Sequence, residues 1–178
     1  MTLLIRRMIL EVIPAVIELE HISFSLPWPE RSFRFELTDN PTSRCWVAEV
    51  DRRVVGMVVG WLFVDEIHIA TIATHPDFRR QGIGRKLLHH AIANSPELGI
   101  KNLVGCIFAS NTASLRLFAG FGFEQWGYLP AVAEFESGSC DLVIMGRRVQ
   151  RDLPDPTLPT PDRTAPRLND VPSDHSSG

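Results

Sequence analysis

Apolar runs and polar interruptions alternate along this chain at intervals that give most of its elements. Leu3 to Met8 predicts a first strand, and from about Leu10 to Ser23 the residues Val12, Val16 and Leu19 recur at the spacing of a helix. Pro27 and Pro29 then break the chain around Trp28. A second helix is expected over about Glu30 to Leu37, with Phe33 and Leu37 on one side and Asp39-Asn40-Pro41 as its stop. Three runs rich in Val and Ile follow, Arg44 to Val50, Val54 to Val64 and Ile67 to Thr74, separated by Asp51-Arg52-Arg53 and Asp65-Glu66. Such runs suit a pleated, half-buried surface. Gly82 to Asn94 sets Ile83, Leu87, Leu88 and Ile92 at helical spacing, Leu103 to Phe108 reads as a strand, and Asn111 to Gly120 as a helix ended by glycine. Phe123 to Phe135 and Cys140 to Val149 are two closing strands. The predicted order is β-α-α-β-β-β-α-β-α-β-β, an α/β sandwich without internal repeats.

The pattern fails after Val149. Arg151 to Gly178 hold six of the 13 prolines, no aromatic residue and three arginines against five aspartates. A segment of that kind buries too little apolar surface to offset its chain entropy. The expectation is one domain over residues 1–149 and a Pro-rich, disordered tail over 150–178.

Composition narrows the possibilities further. A chain of 178 residues with 44% hydrophobic positions is the size of one domain and can build a core. A net charge of -3 and a pI near 6.1 give no uniformly basic face, so nucleic acid is not an expected partner. Arg6, Arg7, Glu11, Glu18 and Glu20 interrupt the N-terminal apolar positions, which speaks against a signal peptide or a membrane span and for a cytoplasmic protein. Cys45, Cys106 and Cys140 have neither CxxC spacing nor a histidine pair, so no metal site and no disulfide framework is expected.

The chemistry begins at Arg79-Arg80-Gln81-Gly82-Ile83-Gly84, between the strand exit at Pro76 and a helix start. Gly82 and Gly84 carry no side chain to hold a ligand away from the backbone, and the first N–H groups of a helix, with the helix dipole, favour an anion. Arg79, Arg80, Arg85 and Lys86 add positive charge, so a pyrophosphate fits there. There is no GKS or GKT and no GxGxxG, which sets aside the Walker and Rossmann readings; an ordinary strand-to-helix connection is the remaining alternative.

The longer stretch Thr71-Ile72-Ala73-Thr74-His75-Pro76-Asp77-Phe78-Arg79-Arg80-Gln81-Gly82-Ile83-Gly84-Arg85-Lys86-Leu87-Leu88 resembles the acetyl-CoA signature of the GNAT N-acetyltransferase superfamily. The resemblance extends over roughly Leu3 to Val149, through Asn111-Thr112-Ala113-Ser114 and Gly120-Phe121-Gly122-Phe123. It implies a GNAT-like sandwich with a mixed, mostly antiparallel sheet flanked by helices, and acetyl-CoA as co-substrate. It also implies that backbone groups of Ile72, Ala73 and Thr74 pair with the pantetheine arm, that Arg79 to Gly84 with Arg85 hold the pyrophosphate, and that Asn111 and Phe118 lie beside the donor. Asn111 equally suits a helix N-cap.

Two catalytic positions depart from the relatives' pattern. In the members that acetylate a ribosomal protein's N-terminal alanine, a Glu lies five residues before this asparagine and a Tyr seven after it; here those places hold Cys106 and Phe118. Phe118 has no proton to give, and Cys106 reads as a small buried residue of the strand, with a covalent acetyl carrier as the alternative. In other members a base lies four residues before the residue matching Ile72, which is His68, with Glu66 on the same strand face. A histidine suits proton removal near neutral pH, and a carboxylate can orient it. The alternative reading makes His68 a half-buried strand residue and Glu66 a turn charge. Tyr128, the one tyrosine, is a candidate replacement acid, while His75, His89 and His90 read as surface residues.

The acceptor is read from the flanks. Ser25-Leu26-Pro27-Trp28-Pro29-Glu30, with Phe33 and Leu37, is similar to the substrate loop of the ribosomal-protein-alanine acetyltransferases and implies a peptide N-terminus, with Trp28 and Phe33 at the substrate. Ala131-Val132-Ala133-Glu134-Phe135 and Asp141-Leu142-Val143-Ile144-Met145 resemble the ending of the phosphinothricin and methionine-analogue acetyltransferases, which implies a free amino acid or other small amine. Either segment could equally serve only the core. An N-acetyltransferase, a CoA-binding module without catalysis and a purely structural domain are the three readings, as a monomer or homodimer.

Overall fold

The computed structural model of the chain describes residues 2–94, 99–135 and 138–148. The expected tail over 150–178 lies outside the described residues. The strands are β1 (Leu3–Arg7), β2 (Ser43–Val50), β3 (Arg53–Phe63), β4 (Glu66–Thr74), β5 (Asn102–Phe108), β6 (Glu124–Phe135) and β7 (Gly138–Arg148). The helices are α1 (Ile13–Ser23), α2 (Glu30–Thr38), α3 (Ile83–Ala93) and α4 (Thr112–Gly120). Their order is the one the apolar pattern predicts. The first helix differs at its start, where Leu10–Val12 form a 3-10 turn and Pro14 enters the first turn of α1, a place where its missing N–H is not needed. Asp51 and Arg52 take positive φ angles of 49° and 66° and turn β2 directly into β3, as a two-residue hairpin requires.

The seven strands form one sheet in the order β1-β2-β3-β4-β5-β7-β6. Only β4 and β5 run parallel; every other neighbouring pair is antiparallel. Two apolar clusters cover its faces. One joins Ile83, Leu87 and Leu88 of α3 and Phe118 of α4 to Ile67, Ile69, Leu103 and Val143 of the sheet. The other joins Ile13, Val16 and Leu19 of α1 and Phe33 of α2 to Val47, Met57, Val59 and Ala73. No described helix is long and apolar enough to cross a membrane.

One irregularity in the sheet creates the site. Val59 pairs with Thr71 but Gly60 pairs with Ile69, so Ala70 is an extra residue on β4. Side chains change face there: Ile67 and Ile69 pack with α3, whereas Ala73 packs with α1. Pairing of β4 with β5 ends at Ile69 and Gly105. Beyond that point the two strands no longer share a ladder, and the β4 backbone from Thr71 to Thr74 bonds only toward β3 within the sheet.

Candidate active site

A cleft of about 920 Å³ opens where β4 and β5 part. Ile72, Ala73, Thr74, Arg79, Arg80, Gly82, Ile83, Gly84, Arg85 and Asn111, all singled out in the sequence, line it together. Its other walls are Phe108, Ser110 and Ser114 from the end of β5 and the start of α4, and Ser23 to Leu26 at the end of α1. Gln81 stands outside the lining and donates from Nε2 to the Asp77 carbonyl at 3.3 Å, which braces the turn. Phe118 is also outside: it is 2% exposed, packs edge-on against Phe123 at 4.9 Å and lies over Gly105. A β-carbon at Gly105 would come within 2.4 Å of its ring, so glycine is what lets Phe118 seat on the sheet.

Local chemistry shapes the turn. Gly82 is the N-cap of α3 in the left-handed region, φ 79°, and Arg80 holds φ 61°, a costly value for a residue with a β-carbon. No atom lies within 4 Å of where a Gly82 β-carbon would sit, which leaves the approach to the first turn of α3 open. Arg79 Nε donates to the Thr74 carbonyl at 3.1 Å. His75, expected only as a surface residue, builds the preceding turn: its Nδ1 accepts from the Asp77 N–H at 3.3 Å and its Nε2 faces Arg53 Nη2 at 2.9 Å. Asn111 caps α4, its Oδ1 accepting from the Ser114 N–H at 3.1 Å, and lines the cleft as well.

The proton-handling candidates Glu66 and His68 precede the bulge on β4, and neither lines the cleft. His68 Nε2 lies 3.0 Å from Glu66 Oε2, and Asn102 Nδ2 donates to Glu66 Oε1 at 3.1 Å. Both Glu66 and His68 are half-buried. With Nε2 directed at a carboxylate, Nδ1 of a neutral His68 is the nitrogen that can accept a proton. Strand register sets a row across the sheet: Trp61 on β3 is opposite His68, His68 opposite Val104, and Val104 opposite Gly146. Trp126 of β6 lies over Gly146 and is 45% exposed. Phe63 meets His68 edge-on at 5.2 Å, and Trp28 stacks on Trp61 at 6.0 Å with 17° between the rings. Phe33 is fully buried beneath Trp28, 5.5 Å away, so it supports that ring without reaching the surface.

Two further expectations change here. Cys106 is exposed, because its side chain shares the sheet face of Val104 and Phe108, away from α4; burial of its neighbourhood nonetheless pushes its thiol pKa up, which disfavours the thiolate. Tyr128 is not brought to the cleft. Its hydroxyl donates to Asp141, a bond that raises the tyrosine pKa and lowers that of Asp141, whose other oxygen accepts from the Ala131 N–H at 3.0 Å. Among the described residues no group of three or more His, Cys, Asp or Glu could hold a metal ion.

The acetyltransferase (GNAT) family model matches residues 13–123. The chain belongs to that family. A protein of Bacillus subtilis (strain 168), provisionally assigned as a ribosomal protein bS18-alanine N-acetyltransferase, is 33% identical over 123 residues, 69% of this chain and 82% of the relative. A second protein of the same organism, provisionally a phosphinothricin acetyltransferase, is 42% identical over 71 residues, 40% of this chain and 44% of the relative. The crystal structure of the Escherichia coli ribosomal-protein-S18-alanine N-acetyltransferase shares the fold, with a TM-score of 0.76, 24% identity and 85% of this chain and 96% of that one covered. The chain is therefore an acetyl-CoA-dependent N-acetyltransferase, with acetyl-CoA as acyl donor and an amine as acceptor.

The cleft fits that donor on its own geometry. It offers a length of β4 backbone, Thr71 to Thr74, that has parted from β5, a helix start opened by glycine and several arginines at one end. Asn102 and Trp126 escaped the sequence reading, since each matters through a partner on another strand. Cys140, which also lines the cleft, had no local signal at all.

Proposed function

We propose that this acetyltransferase acts on the α-amine of a peptide or protein N-terminus by direct attack on the thioester, with His68 as general base and Glu66 as its orienting carboxylate. The observation that carries the peptide reading is the open sheet face beside the cleft. Around half-buried His68 and Trp61 it carries exposed Phe63, Trp126, Cys106 and Phe108, the last 38% exposed, with Val104 and Gly146 buried beneath them. An extended apolar surface of this kind suits several residues of chain, where a single amino acid would be held in an enclosed pocket. The match to the ribosomal-protein-alanine relative over most of both chains supports the same acceptor class.

Each group has one task in this reading. Bound acetyl-CoA supplies an activated acyl carbon. The residues of the Arg79–Arg85 turn and of Ile72–Thr74 bind it, and the row from Trp28 through Trp61 orients the acceptor. His68 stands two residues before the bulge at Ala70, about 7 Å along the strand, so a water relays the amine proton to Nδ1. The new N–C bond forms as the C–S bond breaks, and the thiolate takes its proton from solvent, because Phe118 has none and the Tyr128 proton is directed at Asp141.

A second reading, a free amino acid or small amine, is favoured by the 42% identity to the phosphinothricin-type relative. Thiol release from acetyl-CoA, measured with peptides and with free amino acids bearing the same first side chain, separates the two. The peptide reading requires a higher kcat/KM for the peptides. Preference for the free amino acids, or no turnover of any peptide, rejects it.

A further inference from the structure

Beneath the acceptor side, α1 carries a carboxylate in a place where sequence periodicity asks for an apolar residue. Ile13, Val16, Leu19 and Glu20 are the buried residues of α1, and Glu20 is 1% exposed. Its Oε1 accepts from the Trp28 N–H at 3.0 Å, while its Oε2 is buried without a partner among the described residues. Desolvation dominates its ionisation and pushes its pKa up to about 7. Such a group adds little to stability, since an apolar side chain of similar size avoids the desolvation cost. Among the described residues its one hydrogen bond is to Trp28, in the segment between α1 and α2.

That bond lies at the head of a chain of contacts. Trp28 follows Pro27 in the irregular stretch between α1 and α2, where Phe24 to Leu26 line the cleft. Its ring rests on Phe33 and stacks on Trp61. Trp61 is held from the other side: its Nε1 donates to Glu36 Oε2 at 3.0 Å, and Asn40 Nδ2 donates to the same oxygen at 2.8 Å. Trp61 meets Phe63 edge-on at 6.3 Å, and Phe63 meets His68. Two buried carboxylates, one from each helix, thus fix the two stacked tryptophans.

We infer that Glu20 is a positioning residue for the acceptor: through the Trp28 N–H it sets the α1–α2 segment and the Trp28–Trp61 stack against which the incoming amine is oriented. The inference rests on the acceptor side lying along that row. It does not depend on which amine is used, because the test takes whichever acceptor is turned over. Glu20→Met removes the acceptor oxygen at nearly constant volume, and Glu20→Gln keeps one.

The experiment varies amine and acetyl-CoA separately in steady-state kinetics, and adds CoA calorimetry and thermal melts for both variants. Loss of the single bond in Glu20→Met raises the KM for the amine about tenfold, the scale of one hydrogen bond to a charged group. CoA affinity stays within about twofold of the wild type and the melting temperature does not fall, as expected for a carboxylate that does not support the fold. Glu20→Gln keeps the amine KM within about threefold, as its side-chain oxygen can still accept the bond. An unchanged amine KM in Glu20→Met overturns the inference. So does a joint fall in CoA affinity and melting temperature with a raised amine KM in both variants, which marks a residue of the fold alone.

Discussion

His68 Nε2 and Glu66 Oε2 lie 3.0 Å apart, two residues from each other on one face of β4, and Asn102 on the parallel neighbour β5 holds the second Glu66 oxygen. The carboxylate is thereby fixed from two strands, and the ring it faces is fixed in turn. Asn102→Ala leaves His68 and Glu66 in place but frees the carboxylate to rotate. The expected outcome is a drop in kcat of about tenfold, smaller than the roughly 10²–10⁴ of a positioned base, with the KM for acetyl-CoA unchanged. Initial rates at varied donor concentration check both parts.

The turn proposed to hold the donor depends on backbone angles that glycine supplies. Gly82 has φ 79° and open space around it, so Gly82→Ala acts through conformation and meets no clash. The left-handed value costs a residue with a β-carbon about 1–2 kcal/mol. CoA affinity by calorimetry is expected to fall about tenfold, since one factor of ten corresponds to roughly 1.4 kcal/mol.

Under α4, Phe118 occupies the space that Gly105 leaves empty. A methyl group there would approach the Phe118 ring to 2.4 Å. Gly105→Ala is expected to destabilise the domain by about 1–3 kcal/mol in denaturant unfolding, the range of an overpacked core. Phe118→Leu in the same background recovers part of the loss.

Glu20 gives the protein a pH-dependent stability of predictable sign. Its pKa rises from 4.5 to about 7 on folding, so the folded chain holds this proton more tightly than the unfolded one. The contribution is therefore fully present below about pH 4.5 and is lost as the pH rises toward 7. Glu20→Gln, which cannot ionise, lacks this decline and exceeds the wild type by up to about 3 kcal/mol at pH 8. Denaturant unfolding at pH 5 and pH 8 checks the sign: equal differences at both values contradict it.

Much of the architecture is legible in the residues because single segments encode it. Val- and Ile-rich runs, the break at Pro27 and Pro29 and the glycine after Phe118 each act locally, and apart from the start of α1, which comes three residues late, the observed strands and helices begin and end within a residue or two of where they place them. The glycine-opened turn at Arg79 to Gly84 is legible for the same reason. Cys106 is different: its burial depends on whether a helix covers that half of the sheet, and α1 and α2 pack over β2, β3 and β4 while Cys106 on β5 stays exposed. Glu20 beside Leu19 reads as the edge of an amphipathic helix, and only the fold brings the Trp28 N–H to it. Asn102 and Trp126 gain their meaning from Glu66 and Gly146 across strand pairs, a relation that no spacing along the chain records.

The account turns on His68 as the group that takes the amine proton, and the pH dependence of kcat/KM for the amine tests this most directly. In the wild type an ionisation limits the rate on the acid side, and in His68→Ala the rate falls by roughly 10²–10⁴ near neutral pH and that limb disappears. A His68→Ala enzyme with the same acid limb and a rate within about threefold of the wild type contradicts it.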